Sequence, residues 1–329
     1  MSSLAPTLQA FFNERLTAQR QASPHTIASY RDALRLLLVF AAEHANTEPS
    51  RLHIGDLDAP LIGAFLEHLS QERGNSARTR NARLAAIHSL FRFAALRHPE
   101  HAAVIQRVLA IPPQRADRTL ISYLTEPEIA ALLAAPDRAS WTGRRDHALL
   151  ALAVQTGLRA SELLTLTCRD VHLGAPAHVN AHGKGRKERI TPLTKATAAI
   201  LRAWLAERAG QPTDALFCTG QGTRLSRDAL ERRLATHATT ATAAAPTLTE
   251  KKITAHVLRH SAAMRLLHAG VDITVIALWL GHESTDTTQI YLHADLALKE
   301  RALARTAPPG TAPGRYHPPD STLAFLQGL

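Results

Sequence analysis

The sequence predicts a mainly helical protein of two domains with one small β-hairpin, an α+β chain in which helix dominates. Three observations predict it. Apolar residues recur at helical spacing through most of the 329 residues, a proline pair at 112–113 interrupts them, and one glycine-containing turn lies between two short strand-like runs. At roughly 100–200 residues per domain, this length suits two separate cores.

The first domain is expected over residues 1–111 as four or five helices. Ser23-Pro24 is an N-cap followed by proline at the first helical position, with Ile27, Tyr30, Leu34, Leu37 and Leu38 at helical spacing behind it. Asp56 or Asp58 can cap the next helix, which buries Ile62, Phe65, Leu66 and Leu69. A further helix spans about 77–96, with Leu84, Ile87, Leu90, Phe91 and Ala94 inward and Arg78, Arg80, Arg83 and Arg92 on other faces. Residues 112–118, opened by the two prolines, form the linker.

The second domain, 119–305, opens on a capping box from Thr125 to Glu128 and a helix to about Ala135. A second helix is expected over 144–155. Residues 177–180 and 189–192 flank Gly183-Lys184-Gly185-Arg186-Lys187 as a hairpin. Helices resume at Ala198, broken by an Ala/Thr-rich stretch at 235–245. Residues 306–329 form a proline-rich tail ending in a short apolar segment with Leu323, Phe325 and Leu326.

Composition narrows the function classes. Hydrophobic residues at 45% and charged residues at 20% exclude wholesale disorder, and no run of 18 apolar residues offers a membrane-spanning helix. Two cysteines, Cys168 and Cys218, make no disulfide framework, and the first residues lack a signal-peptide pattern, which points to a reducing cytoplasm. The 38 Lys and Arg outnumber 28 Asp and Glu, a formal charge of +10 that attracts polyanions. Residues 1–117 hold 13 Arg, no Lys and 10 acids, so all of their positive charge is guanidinium, the group that bonds a phosphate with two N–H donors at once. The arginine row at 78–92 is therefore read as a nucleic-acid contact, although a solvated face is the commoner use of such a row.

Three clusters can carry chemistry. Arg159 follows Gly157 closely, with Glu162 one helical turn on. Lys184, with Arg186 and Lys187, stands in the hairpin turn. His256, Arg259 and His260 share a helix segment, followed by Gly281-His282 and Tyr291. Zinc is the competing use of His256 and His260, but Val257 stands where a metalloprotease places its glutamate, and no Cys-x-x-Cys accompanies them. No metal or cofactor is expected. Cleaving a phosphodiester requires charge neutralisation, a nucleophile and an acid for the leaving alkoxide. Two arginines, a lysine, two histidines and a tyrosine contain all three without a divalent ion.

Residues 156–166 (TGLRASELLTL), 183–193 (GKGRKERITPL) and 256–294 (HVLRHSAAMRLLHAGVDITVIALWLGHESTDTTQIYLHA) resemble the tyrosine recombinase, or phage integrase, family over about 125–295. The preceding helical part resembles that family's core-binding domain. The resemblance implies that Arg159 and Arg259 clamp the scissile phosphate, that Lys184 protonates the 5′ oxygen, and that His256 and His282 support the phosphate. It makes Tyr291 the nucleophile of a 3′-phosphotyrosyl bond, Glu162 an acidic group behind Arg159, and His260 a structural residue. It implies double-stranded DNA as partner, two protomers per core site and four in the synapse, with accessory recombinases among the conceivable partners. The layout is similar to compact Xer-type or transposon-borne integrases acting on the bacterial nucleoid, and the added tail favours a mobile element over dimer resolution. A DNA-binding protein without catalysis and a type IB topoisomerase are the rival readings. The resemblance also implies that the terminal segment docks on a neighbouring protomer, with docking back onto its own domain as the alternative.

Overall fold

The computed structural model describes residues 3–115, 121–183, 188–282 and 288–291. The chain divides into two compact units, Met1–Thr119 and Leu120–Leu329. Lys184, Arg186, Lys187 and the tail lie outside the described residues.

In the first unit, α1 (Leu4–Ala10) runs into a wider helical turn, Phe11–Gln19. The Thr17 hydroxyl donates to the Phe12 carbonyl five residues back, the spacing of that wider winding. Ser23 caps α2 (Pro24–His44) by accepting from the Thr26 amide. Of the two candidate caps for α3 (Ala59–Gln71), Asp58 takes the role; Asp56 closes a short turn before it through the His53 amide. Ser76 caps α4 (Ala77–Ala95), and α5 (Ala102–Leu109) completes the unit. Phe11, Leu37, Ile62, Phe65, Ile87 and Phe91 fill its core, all at most 2% exposed. Burying side chains of this size contributes about 1.5–3 kcal/mol each, and the helical spacing of these residues converts that gain into one packed face per helix.

In the second unit, Thr125 and Glu128 form the expected capping box at the start of α6 (Glu126–Ala134). The Glu128 carboxylate also accepts from Thr247 and Lys251, tying this helix start to the short turn Pro246–Glu250. The next helix, α7 (Trp141–Thr156), begins three residues before the expected start because Ser140 caps it. Residues 148–154 of α7 are buried on every side, which makes it the central helix. Gly157 ends it in the left-handed conformation, and α8 (Ala160–Thr165) follows at once.

Three antiparallel strands come next: β1 (Val171–His172), β2 (His178–His182) and β3 (Glu188–Pro192), in that order, with β1 unanticipated from sequence. Ala181 pairs with Arg189 and His182 with Glu188, so the hairpin ladder reaches the residue before the glycine turn. The chain then forms α9 (Lys195–Arg208), α10 (Arg227–Ala241), α11 (Ala255–His268) and α12 (Ile273–Leu280). The Ala/Thr-rich stretch does not break α10 where the sequence suggested. Alanine sustains helix, Thr236, Thr239 and Thr240 donate to carbonyls four residues back, and His237 is anchored against the buried Asp146 at 2.8 Å.

The Trp204 indole donates to the Leu216 carbonyl at 2.9 Å inside the main core of this unit. A smaller cluster of Ala263, Met264, Leu267, Ile276, Leu280 and Tyr291 packs α11 against α12. No described helix is long and apolar enough to cross a membrane.

Candidate active site

The α7–α8 turn, the α11 helix and the end of α12 meet around two arginines. Arg159 is the N-cap residue of α8; its backbone amide donates to Glu162 Oε2 at 2.8 Å and its Nη1 to Glu162 Oε1 at 2.8 Å. Its Nη2 donates to the Gly281 carbonyl at 2.9 Å. Arg259, buried on α11, donates from Nη1 to the Gly157 carbonyl at 2.7 Å and from Nη2 to the Leu280 carbonyl at 2.8 Å. The last carbonyls of a helix lack intrahelical partners and carry the negative end of its dipole. The end of α12 thus holds two cations through consecutive carbonyls.

Two glycines allow this closeness. Gly157 has φ +64°, and an added Cβ would lie 2.7 Å from Leu280 Cδ2 and 3.1 Å from Ala262 Cβ. Gly281 has φ +66° and no room either, its Cβ position being 2.9 Å from Arg189 Nη1. Any side chain at either position is both strained and obstructed.

Burial, and then the Arg159 charge, lower the Arg259 guanidinium to about 10, so it remains a cation at neutral pH. Burial pushes the Glu162 carboxyl upward, but hydrogen bonds from Arg189 and from the Arg159 amide overcome it and hold the group at about 2. Glu162 is therefore a fixed anion behind Arg159.

Tyr291 is 1% exposed, and its hydroxyl pairs with His260 Nδ1 at 3.0 Å. Burial raises its phenol to about 12 against the pull of Arg259 and Arg159. His260 stacks edge-on against His256 with ring centroids 4.2 Å apart; burial, then His256 and Arg259, push it down to about 4. His282 pairs through Nδ1 with Thr288 Oγ1 at 2.7 Å. Burial and the nearby Arg259 and Arg159 push it down to about 4 as well, so both rings are neutral at pH 7.

Of the residues singled out from sequence, Arg159, Glu162, Arg259, His260, His282 and Tyr291 are linked by these contacts and charges, and His256 joins them through His260. Arg189 and Thr288 were not anticipated. Arg189 forms a two-pronged bridge to Glu162 at 2.8 and 2.9 Å. In the first unit, Arg78 and Arg92 on α4 are exposed, while Arg80 and Arg83 are half-buried. Arg83 Nη1 is buried with no hydrogen-bond partner.

The site has many likenesses. Residues 122–297 match the phage integrase family and residues 9–98 the phage integrase N-terminal SAM-like domain. The chain is 56% identical over 328 residues to an integrase/recombinase of Sinorhizobium fredii, y4rC, covering 100% of this chain and 99% of that one. It is 31% identical over 306 residues to the tyrosine recombinase XerD of Pseudomonas putida, covering 91% and 96%. The XerH site-specific recombinase bound to its palindromic difH substrate, in a post-cleavage complex, superposes with a TM-score of 0.70 at 26% identity, over 88% of this chain and 82% of that one. A relative matched from end to end and a family match over more than half of the residues leave one assignment: this chain belongs to the phage integrase family of tyrosine recombinases.

Proposed function

We propose that the chain is a site-specific DNA strand transferase that cuts and rejoins double-stranded DNA through a 3′-phosphotyrosyl bond at Tyr291, in the service of a mobile element. The observation that carries this reading is the convergence of Arg159 and Arg259, from separate helices, on the consecutive carbonyls of Gly281 and Leu280, beside a tyrosine held by the helix that carries Arg259. A guanidinium has five N–H donors, and these described contacts use two from each arginine, leaving others for the non-bridging oxygens of a phosphate.

The Tyr291 oxygen attacks phosphorus as its proton passes to the neutral His260 ring, whose Nδ1 lies 3.0 Å away, and the bond from phosphorus to the 5′ oxygen breaks. Lys184 supplies the proton to that oxygen, and His256 assists. His282 Nδ1 pairs with the Thr288 hydroxyl; with that hydroxyl as the donor, the ring carries its proton on Nε2 and gives a hydrogen bond to a phosphate oxygen. The phosphotyrosyl ester conserves the energy of the broken bond, so rejoining needs no ATP. The fixed cations stabilise the charge developing on the phosphate oxygens, so the step needs no divalent ion. Two protomers occupy each core site and four the synapse. The tail beyond Arg305 and the similarity to a Sinorhizobium integrase support the mobile-element role, on DNA of the bacterial nucleoid.

Incubating the full chain in excess EDTA, without ATP, with DNA from the flanks of its gene should yield a covalent adduct at one mapped position per strand. Native gels of the same DNA should resolve complexes of one and two protomers. Cleavage that requires metal, or attachment through another tyrosine, overturns this chemistry, and a lone one-protomer complex overturns the stoichiometry.

Lys184→Ala should lose cleavage on ordinary DNA and regain most of it on a 5′-bridging phosphorothiolate, whose sulfur leaves without a proton. Equal losses on both substrates would remove Lys184 from the acid's role.

The α4 arginines, with Arg186 and Lys187, supply backbone contacts. Binding should weaken with salt at a log–log slope of about −0.9 per phosphate neutralised. Arg78→Ala and Arg92→Ala should each flatten that slope by about one unit; unchanged slopes would take α4 off the DNA.

A further inference from the structure

Arg189 is a half-buried arginine for which the phosphate chemistry above has no use. It stands on β3, paired in register with Ala181, and spends all three guanidinium nitrogens inside the protein. Nη1 and Nη2 grip the two oxygens of Glu162 at 2.9 and 2.8 Å, and Nε donates to the Trp279 carbonyl at 3.1 Å. The carbonyls of Trp279, Leu280 and Gly281 thus each receive one arginine: Arg189, Arg259 and Arg159 in turn.

We propose that Arg189 is a positioning residue of the cleavage site: it saturates Glu162, and so keeps Arg159 aimed at the phosphate rather than collapsed onto its own carboxylate. The proposal rests on the strand-transfer reading above.

The argument is one of charge and of lone pairs. Glu162 is 2% exposed, so protein donors must satisfy it. Arg189 occupies each carboxylate oxygen once. What remains is taken by the Arg159 amide at Oε2 and by a single N–H of Arg159 at Oε1. Arg159 therefore reaches Glu162 by one prong only, and its second nitrogen is free to hold the Gly281 carbonyl.

Without Arg189, the stronger geometry for Arg159 is a two-pronged fork on Glu162, because parallel charge-assisted bonds exceed single ones. That fork would draw the guanidinium away from Gly281 and set one cation against one anion. With Arg189 present, three guanidiniums face one carboxylate, and a net charge of +2 remains for the phosphate. Gly281 belongs to the same device, since a side chain there would displace the Arg189 guanidinium from 2.9 Å.

The test uses the full chain and the DNA on which the wild-type protein forms its adduct. Single-turnover cleavage at saturating DNA and the DNA dissociation constant are measured separately for Arg189→Met, Arg189→Lys, Glu162→Met and the Met/Met double variant, with thermal melting for each. Arg189→Met should slow cleavage roughly 10- to 100-fold, the usual size for removing the partner that orients a functional side chain, with affinity within about threefold. Arg189→Lys should recover little, because an ammonium cannot fork.

The double variant should be no slower than the slower single one, since both act through Arg159. It also removes the buried carboxylate that has lost its Arg189 bridge, so it keeps the comparison available if Arg189→Met melts too low to assay. Wild-type cleavage by Arg189→Met, a loss confined to affinity, or losses that multiply in the double variant would each overturn the proposal. A wild-type chain that forms no adduct overturns the recombinase reading instead.

Discussion

Tyr291→Phe should abolish the covalent adduct and every strand exchange that depends on it, leaving DNA affinity within about twofold of wild type. The change removes one oxygen, and in the proposed chemistry that oxygen forms the bond to phosphorus. The expected loss is therefore complete rather than graded, limited only by assay background. The side chain also supports packing, because its ring lies in the cluster formed by Met264, Leu267, Ile276 and Leu280. Phenylalanine retains that ring and forfeits only the 3.0 Å contact to His260. His260 is then left with an unmade hydrogen bond in a half-buried place, costing on the order of 1 kcal/mol. A modest fall in melting temperature with unchanged binding is the accompanying signature. Persistence of an adduct in this variant, or its mapping to Tyr316, would remove Tyr291 from the nucleophile's role.

The helical architecture was legible because its signals are local. Ser23-Pro24 and the Thr125–Glu128 box mark helix starts through hydrogen bonds spanning three residues, and the structure contains both. Local reasoning failed where long-range partners decide. The stretch at 235–245 reads as a break because threonine is a mediocre helix former, yet helix continues to Ala241 with His237 fixed against Asp146, 91 residues away in sequence. Strand β1 has two residues and pairs with β2 across a turn, too short for any periodic pattern to register.

The same distinction explains the site. Arg159 and Glu162 are three residues apart and could be read as a pair, as could His256 and Arg259 on one helix. Arg189 could not. Alternation along Glu188–Pro192, judged by residue type, would turn Ile190 inward; instead Ile190 is 69% exposed while Arg189 and Thr191 face in. An inward arginine is tolerable only because Glu162 waits 27 residues earlier in the sequence, on a helix that the strand meets in three dimensions. The pairing of His260 with Tyr291 is hidden in the same way, 31 residues apart.

Arg159→Ala and Arg259→Ala should each slow cleavage on the order of 10²- to 10³-fold, the cost of losing one preorganised donor to a developing oxyanion. The two should differ in what else they lose. Arg159 is over a third exposed at its side chain, and its removal leaves Glu162 still bridged by Arg189. Stability should fall little, by well under the cost of a broken buried pair. Arg259 is buried and bridges the Gly157 and Leu280 carbonyls, so its removal orphans two acceptors and reduces contact between α7 and the end of α12. At about 1–3 kcal/mol per unsatisfied buried group, Arg259→Ala should melt several degrees below Arg159→Ala.

Arg259→Lys separates the two effects. An ammonium keeps the positive charge but cannot span both carbonyls while presenting a fork to phosphate, so this variant should regain some melting temperature and little of the rate. Cleavage by Arg259→Lys within about threefold of wild type would mean that charge alone suffices at this position. Equal melting of the two alanine variants would mean that the bridge between the carbonyls contributes nothing to holding the site together.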